Sequence, residues 1–295
     1  MQEHIAIGSA NVVVVGLARN CAGVIQDEIR TIAGALTPFS SVKFLVIESD
    51  SEDATCQRLE AMQAELDIQT VSLGTLRKEH PSRTDRIAIC RNEYVKCLQQ
   101  DKQYSDIDYV IVADLDGVNR KLTPQAVESC WFDGADWDAC FANQSAPYYD
   151  IWALRHPDWS PDDCFQHEGH LIDQGMDAYR AKKIAIFNRM KTIPPEASPI
   201  RVQSAFGGFG IYKKHLFDQA HYIGLDEQGA EFCEHVSIHS QMAKSAKLYV
   251  VPSLINCGYT EHSKIMKGWR RSALYVASRV ISMNRLRKIK RALAR

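Results

Sequence analysis

Continuous apolar runs alternate along the chain with segments whose apolar residues recur at helical spacing. Three runs rich in β-branched residues predict strands at 11–17, 42–48 and 109–113, and a shorter strand is predicted at 69–73. Helical spacing predicts helices at 21–36, 53–66 and 84–98. Strands that are apolar throughout are typical of a parallel sheet that is buried on both faces. The pattern therefore predicts an α/β fold with a mostly parallel sheet and helices on both faces.

The second half of the chain has a less regular pattern. It predicts strands at 139–143, 209–213 and 248–251, and helices near 171–190 and 236–246. No linker, internal repeat or low-complexity segment divides the sequence. We therefore expect one large domain over residues 1–263, followed by a separate basic segment.

The basic segment, residues 264–295, contains eleven Lys or Arg and no Asp or Glu. The net charge of the whole chain is −1, so 24 basic residues face 36 acidic ones in the remainder. Trp269, Ala273, Val276, Val280 and Met283 recur within the segment at roughly helical spacing. The pattern predicts a basic amphipathic helix, which either contacts an anionic membrane surface or packs on the domain. An acidic body without an RNA-binding module argues against a nucleic-acid partner.

Cysteine usage and the absence of long apolar runs bear on the cellular compartment. The nine cysteines form no Cys-x-x-Cys pair, which argues against a disulfide framework or a zinc site. The first residues lack the basic and apolar regions of a signal peptide, and no apolar run is long enough to span a membrane. We therefore expect a cytoplasmic protein with reduced thiols. If the basic segment binds the membrane, it would hold the protein at the inner face.

Polar residues follow three of the predicted strands at their carboxyl ends. They include Arg19, Glu48, Asp50, Asp114 and Asp116, and Ala18 lies beside them at the end of the first strand. Ligands of such sheets bind at the carboxyl ends of the strands, so these residues predict one site. Acidic residues at strand ends also form turns and cap helices, and that interpretation is favoured for Asp53.

Two carboxylates separated by one residue, Asp114 and Asp116, follow the apolar run YVIVA, and Gly117 comes next. Carboxylates this close repel each other unless a cation lies between them. Mg²⁺ and Mn²⁺ prefer oxygen ligands and often keep substrate phosphates as further ligands. Asp-x-Asp alone is a weak pattern, but its position after the fourth strand makes it more specific. It predicts a site for a metal and a diphosphate rather than a plain turn.

Longer stretches of the chain resemble known enzymes. Four features resemble, in their order along the chain, those of the GT-A glycosyltransferases. They are LARN at the end of the first strand, ESDSEDAT after the second, an Arg-rich helix start, and DLD at the end of the fourth strand. Six stretches resemble a narrower group, glycosyltransferase family 69, which contains the cryptococcal capsule α-mannosyltransferases and their bacterial relatives. The stretches are FLVIESDSEDAT, RIAICRNEYV, DYVIVADLDGVN, APYYDIWALRHP, GGFGIYKK and CEHVSIH. The resemblance implies a Rossmann-like GT-A catalytic domain over 1–263, with a nucleotide-sugar half at 12–119 and an acceptor half at 120–263.

The resemblance also implies where the sugar nucleotide lies. The base and ribose would lie across the ends of the first two strands, at Ala18, Arg19, Glu48 and Asp50. One of Arg83, Arg86 and Arg91 would meet phosphate or hold Asp114, although a solvated helix with ion pairs would contain the same residues. His262 would be the third metal ligand beside Asp114 and Asp116, with His235 as the competing candidate, and Lys264 and Lys267 would help the diphosphate leave. A lone histidine is more often structural than a ligand.

The acceptor and the catalytic group are expected from the second half. The acceptor-binding candidates are Tyr148, Tyr149, Asp150, Trp152 and Arg155, which an ordinary core or turn would also explain. The candidate catalytic carboxylates are Glu234, Glu231 and Asp150. An inverting enzyme would use one as a general base on the acceptor hydroxyl, whereas a retaining enzyme would use it to steady an oxocarbenium-like sugar. The resemblance implies retention.

The sequence as a whole predicts a metal-dependent glycosyltransferase. It would move a hexose from a sugar nucleotide to a hydroxyl of a glycan or lipid-linked glycan acceptor, with Mn²⁺ or Mg²⁺. The resemblance to family 69 implies mannose from GDP-mannose, and the alternative donor is a UDP-hexose. Surface polysaccharide synthesis is the expected setting. One alternative is a metal-dependent nucleotidyltransferase, which usually has a Gly-rich loop with a basic residue after the first strand; LARNCAG matches that poorly. Another is a non-catalytic sugar-nucleotide-binding protein, which would tolerate loss of Glu231 and Glu234.

Overall fold

The computed structural model describes residues 5–132, 136–242 and 245–268. The strands in these ranges are β1 (Asn11–Ala18), β2 (Ser41–Glu48), β3 (Ile68–Ser72), β4 (Tyr109–Asp114), β5 (Ala139–Gln144), β6 (Ile200–Val202), β7 (Phe209–Lys213) and β8 (Leu248–Cys257). The α-helices are α1 (Ile25–Ala35), α2 (Thr55–Met62), α3 (Arg83–Gln100), α4 (Pro124–Glu128), α5 (Cys164–Asp173), α6 (Ala178–Ala185) and α7 (Glu234–Gln241). All eight of these strands form one sheet in the order β3-β2-β1-β4-β7-β5-β8-β6.

The sheet is mostly parallel, with antiparallel pairs confined to its second half. Strands β3, β2, β1 and β4 are parallel neighbours, and β5 pairs with β8 in parallel. Strand β7 lies antiparallel between β4 and β5, and β6 is antiparallel to β8 at the edge. The predicted α/β fold, with a mostly parallel sheet in one domain, is confirmed.

Strand β1 shows why the apolar runs are continuous rather than alternating. Successive side chains of a strand point to opposite faces of the sheet. Val13 and Val15 are fully buried in the cluster that contains Tyr94 of α3, and Val12 and Val14 are buried in the cluster that contains Ile29 of α1. Both faces therefore require apolar residues, because helices cover both.

The helix predicted at 171–190 is wrong. Helix α5 ends at Asp173, α6 begins at Ala178, and Gly175 between them has a φ of 89°. Asp177 caps α6 by accepting a hydrogen bond from the backbone N–H of Arg180 at 3.1 Å. The segment therefore folds into two short helices, which form a hairpin.

Other boundaries differ less. Helix α7 covers Glu234–Gln241 and is shorter than predicted, whereas β8 continues past residue 251 to Cys257. The three-residue edge strand β6 was not predicted, since it is too short to give a periodic signal.

Several expectations concern residues near the end of the chain or properties of the whole chain. Of the basic segment, only residues 264–268 are described, and the amphipathic stripe from Trp269 onward lies outside the described residues.

All nine cysteines are free thiols. Within the described part of the chain, no helix combines the length and apolar character needed to cross a bilayer.

Candidate active site

A cleft of about 1220 Å³ opens where β1, β2 and β4 end. The residues predicted for the site that line it are Ala18, Arg19, Asp50, Arg86, Arg91, Asp114, Asp116, Tyr149, Asp150, Trp152, Glu234, His262, Lys264 and Lys267. Sheet register explains part of this convergence, because Leu17 of β1 is paired with Asp114 of β4 in parallel. The carboxyl ends of these neighbouring strands therefore meet at one edge of the sheet.

Glu48 and Glu231 do not line the cleft. The carboxylate of Glu48 is buried and accepts hydrogen bonds from the Ser51 N–H at 2.9 Å and the Ser72 hydroxyl at 2.6 Å. Its expected contact with a ribose or base therefore has no support in this geometry. Glu231 is exposed, and its carboxylate accepts a hydrogen bond from the Ser82 hydroxyl at 3.2 Å.

Tyr148 and Arg155 lie behind the wall of the cleft rather than on it. Tyr148 is fully buried, and its hydroxyl accepts a hydrogen bond from the Phe206 N–H at 3.3 Å. Arg155 donates to the carbonyl of Trp152 at 2.8 Å and to the carboxylate of Asp163 at 3.0 Å. Both residues hold the segment that carries Asp150 and do not face a ligand.

The turn after β4 fixes the direction of the two adjacent carboxylates. The Asp114 N–H donates to the carbonyl of Gly208 at 3.0 Å, and the Asn119 side chain donates to the carbonyl of Asp114 at 2.9 Å. Gly117 has a φ of 89°, and a Cβ there would lie 3.0 Å from the guanidinium of Arg120. The turn therefore favours glycine for its left-handed backbone, whereas the Arg120 guanidinium is the end of a flexible side chain and can move away.

Four carboxylates influence one another at the centre of the cleft. Burial raises the pKa of Asp114 to about 7, Arg91 opposes that increase, and the charges of Asp116, Asp150 and Glu234 add to it. Burial likewise raises the pKa of Asp150, whose carboxylate accepts a hydrogen bond from the Gly207 N–H at 3.0 Å. Among the main influences on Asp114, Arg91 is one positive charge against three neighbouring carboxylates, so the centre of the cleft suits a further cation.

Arg91 is the buried cation beneath these carboxylates. Its Nη2 lies 3.7 Å from Oδ1 of Asp114, and its Nε lies 3.3 Å from Oε1 of Glu234. The guanidinium lies 5.5 Å from the ring centres of both Phe206 and Tyr222, and the residue is 4% exposed. Arg91 is therefore not a solvated helix residue: it holds Asp114 and Glu234 in place.

His235 follows Glu234 and lines the same wall. Its ring is stacked on Phe206 with centroids 3.7 Å apart, and its Nε2 lies 3.7 Å from Oε1 of Glu234. Neither ring nitrogen has a hydrogen-bond partner among the described residues. Burial, together with nearby Arg91, lowers the pKa of His235 well below its usual range, so the ring is neutral.

The end of β2 supplies a second buried carboxylate group to the cleft. Asp50 has a φ of 59°, and its Oδ1 accepts a hydrogen bond from the Arg77 N–H at 3.0 Å. Its Oδ2 lies 3.8 Å from Nε of Arg86 and has no hydrogen-bond partner among the described residues. Burial acts to raise the pKa of Asp50, but the hydrogen bonds from Arg77 and the charge of Arg19 outweigh it and lower the pKa.

The loop after β8 brings His262 and two lysines to the cleft. The His262 ring is stacked on Tyr149, with centroids 5.8 Å apart and planes 14° apart. Nζ of Lys267 lies 4.6 Å from the ring centre of Tyr259, and Lys264 is ion-paired with Glu261.

The expected metal triad of Asp114, Asp116 and His262 is not assembled. Within residues 5–132, 136–242 and 245–268, no three His, Cys, Asp or Glu side chains are grouped so that they could hold a metal ion. The two aspartates and the excess of carboxylates still fit a divalent cation, provided that the ligand supplies further oxygens.

Sequence reasoning missed several residues of the cleft. The charged and polar ones include Arg120, Lys121, Ser145 and Lys182. Nζ of Lys121 donates to the Ser145 hydroxyl at 2.8 Å, across the gap between the β4 turn and the segment after β5. Two adjacent cations shortly after Asp-x-Asp were a signal that could have identified Arg120 and Lys121. Lys182 could not be placed, because its position depends on how the α5–α6 hairpin folds back.

Comparisons with known proteins extend the description of the fold. No protein-family model matches the chain, and no curated protein matches it in sequence. The chain is similar to S. aureus TarS 1–349 in complex with UDP-GlcNAc, with 12% identity and a TM-score of 0.49, over 88% of this chain and 61% of that one. It is similar to the mannosyltransferase PcManGT from Pyrobaculum calidifontis in complex with GDP-Man and Mn²⁺, with 13% identity and a TM-score of 0.46, over 88% and 60%.

A third similar structure is mannosyl-3-phosphoglycerate synthase from Rubrobacter xylanophilus, with 14% identity and a TM-score of 0.42, over 96% of this chain and 75% of that one. These structure neighbours are GT-A glycosyltransferases. The chain spans about 60% of the length of the first two. Similarity at this level carries no argument about activity, which depends on the side chains of the cleft.

Proposed function

We propose that the protein is a metal-dependent glycosyltransferase that moves a hexose from a sugar nucleotide to a hydroxyl of a glycan acceptor. The observation that carries the proposal is the group of four carboxylates at the end of β4, against which Arg91 is the buried counter-charge. Such an excess of negative charge suits a divalent cation that arrives with a nucleoside diphosphate.

The donor nucleotide would lie across the ends of β1 and β2. Ala18 and Arg19 line the cleft there, and the buried Oδ2 of Asp50 is an acceptor without a partner among the described residues, which suits a donor group of the base or ribose. The resemblance to family 69 favours GDP-mannose, with a UDP-hexose as the alternative.

Asp114 and Asp116 would hold Mn²⁺ or Mg²⁺ together with oxygens of the diphosphate. The metal would supply neutralisation of the charge that develops on the leaving nucleotide. His262, Lys264 and Lys267 line the cleft beyond β8, where their donors and charges would support the diphosphate.

Of the carboxylates proposed for catalysis, Glu234 and Asp150 line the cleft, whereas Glu231 does not. Oε1 of Glu234 lies 3.3 Å from Nε of Arg91, which draws the carboxylate toward the guanidinium. Glu234 would deprotonate the acceptor hydroxyl in an inverting reaction or steady the sugar in a retaining one, and retention follows from the resemblance. The acceptor would lie beside Tyr149, Asp150 and Trp152, and the setting we propose is surface polysaccharide synthesis at the inner face of the membrane.

Thermal stability with nucleotides tests the proposal. The protein would be melted with GDP, UDP, CDP, ADP, GDP-mannose and UDP-glucose, each with and without Mn²⁺. A ligand at 100 times its dissociation constant stabilises the native state by about 2.7 kcal/mol. We expect Mn²⁺-dependent stabilisation by one nucleoside diphosphate and its sugar nucleotide.

The variants give this test its control. Asp116→Asn should abolish the Mn²⁺-dependent shift, whereas Asp27→Asn should leave it unchanged, because Asp27 lies on α1 with its side chain 90% exposed. No shift with any diphosphate, or the same shift in Asp116→Asn, would overturn the metal-diphosphate proposal.

A further inference from the structure

Beyond the carboxylates, the cleft continues into a region of different chemistry. It runs between the segment after Asp150 and the α5–α6 hairpin with the residues that follow it. We call it the apolar arm; its walls include Ile151, Trp152, Phe165, Ile186, Phe187 and Met190. These residues belong to the same cleft as Asp150 and Glu234, so a ligand could occupy both regions at once.

The walls of the apolar arm are joined by hydrogen bonds to backbone carbonyls. The Tyr148 N–H donates to the carbonyl of Lys191 at 2.8 Å. The indole N–H of Trp159 donates to the carbonyl of Arg189 at 2.6 Å. The residues after α6 are therefore held against the segment that carries Asp150, and the arm exists before any ligand binds.

The polar groups of Trp152 and Ala153 on the wall of the arm are already hydrogen-bonded. The indole N–H of Trp152 donates to Asp163 at 2.8 Å, and the carbonyl of Trp152 accepts from Arg155 at 2.8 Å. The carbonyl of Ala153 accepts from the Ser204 hydroxyl at 2.6 Å. A sugar hydroxyl placed here would lose water without gaining a partner, which weakens binding by roughly tenfold. The arm therefore suits an apolar group rather than a further sugar ring.

The opening of the arm carries an exposed aromatic side chain. Phe165 is 49% exposed and makes an edge contact with Trp152, with ring centroids 5.3 Å apart. Nζ of Lys182 lies 5.8 Å from the ring centre of Phe187 on the wall of the cleft. An apolar chain that enters past Phe165 would cover that ring and continue into the buried part of the arm.

We propose that the apolar arm binds an alkyl or isoprenoid chain of the acceptor, whose sugar hydroxyl lies beside Asp150 and Glu234. The inference rests on the proposed function for the reaction at that hydroxyl. The affinity of the arm for an apolar chain can be measured without a donor nucleotide. The acceptor class is therefore an amphiphile with a sugar head and an apolar chain.

The test measures binding of methyl, butyl, hexyl and octyl mannosides by calorimetry, below their micelle concentrations and without sugar nucleotide. Each buried methylene contributes roughly a fourfold gain in affinity. We expect one site per chain and an affinity that rises steadily from the butyl to the octyl compound. An affinity independent of chain length would overturn the proposal.

Two variants on α5 separate the arm from non-specific surface binding. Phe165→Ser removes the aromatic ring at the opening, and because that ring is half exposed the protein should still fold. Ile172→Ser is the matched control, since Ile172 is 40% exposed on the same helix but does not line the cleft. Phe165→Ser should reduce the gain per methylene while Ile172→Ser keeps it. Equal loss or equal retention in both variants would show binding outside the arm and overturn the proposal.

The outcome can be separated from that of the proposed function. Chain-length dependence together with no response to any nucleotide would support the arm and refute the glycosyltransferase. A Mn²⁺-dependent response to a nucleotide, without chain-length dependence, would support the glycosyltransferase and refute the arm.

Discussion

Replacement of Arg91 by methionine should lower the free energy of unfolding by about 3–5 kcal/mol at neutral pH. Methionine keeps an unbranched apolar side chain between Phe206 and Tyr222, so little packing is lost. What disappears is the positive charge that lies 3.7 Å from Asp114 and 3.3 Å from Glu234. The buried pair is the one with Glu234, whose side chain is 10% exposed against 38% for Asp114. Removal of one member of a buried ion pair is costly because it leaves the partner charge uncompensated.

Urea denaturation followed by circular dichroism measures this change through the transition midpoint and slope. Arg83→Met is the matched control, because Arg83 lies on the same helix and lines the same cleft but is exposed. Its effect should stay within about 0.5 kcal/mol. A second measurement adds Glu234→Gln to the Arg91→Met variant, which removes one of the uncompensated charges. The pair should show a coupling of about 0.5–3 kcal/mol, with the double variant less unstable than the sum of the two single ones.

Two results would refute this reasoning. One is a loss below about 1 kcal/mol in Arg91→Met, the size of an exposed pair. The other is strict additivity with Glu234→Gln, which would mean that Arg91 stabilises the fold by packing and not by holding the carboxylate.

Three further predictions concern the same cleft. The pKa of Asp114 is raised from 3.8 to about 7, so between these pH values the folded state retains a proton that the unfolded state releases. The stability of the metal-free protein should therefore rise as pH falls from 7 toward 3.8. Thermal melts across this range should show the rise, and the profile of Asp114→Asn should be flatter. Gly117→Ala should lower the free energy of unfolding, measured by urea denaturation, by about 1–3 kcal/mol and should weaken nucleotide binding. Gly34→Ala in α1 is the control: an added Cβ there meets nothing, so the variant should be as stable as the original protein or more stable. Glu234→Gln should lower kcat by about 10²–10⁴-fold in a sugar-transfer assay, and equal effects of Glu234→Gln and Glu231→Gln would contradict the assignment.

The first half of the fold was predictable because its strands are buried on both faces. β1, β2 and β4 are long apolar runs with no polar face to confuse the pattern. The position of Asp114 at the end of β4 then follows from the strand order alone. The α5–α6 hairpin was not predictable in the same way, because both helices have similar periodicity and the break depends on the local turn at Gly175.

Side-chain direction was the weakest part of the sequence reasoning. Arg86 and Arg91 lie five residues apart on α3, and spacing alone could not show that Arg91 points to the buried carboxylate of Glu234. Glu48 ends β2 as predicted, but the chain turns back at Asp50, so the Ser51 N–H reaches the Glu48 carboxylate. Facts of this kind depend on backbone angles and on contacts between distant segments, which periodicity does not contain.

The position of β7 in the sheet has a consequence for synthesis of the chain. β4 pairs with β1 on one side and with β7 on the other, and β7 begins at Phe209, about 95 residues after β4 ends. At about 5–20 residues per second, the ribosome needs roughly 5–20 s to deliver the missing neighbour. For that time the nascent protein has a fully apolar strand with one unpaired edge, a ready template for pairing with another chain. Conditions that slow translation between β4 and β7 should therefore lower the yield of folded protein and increase aggregation.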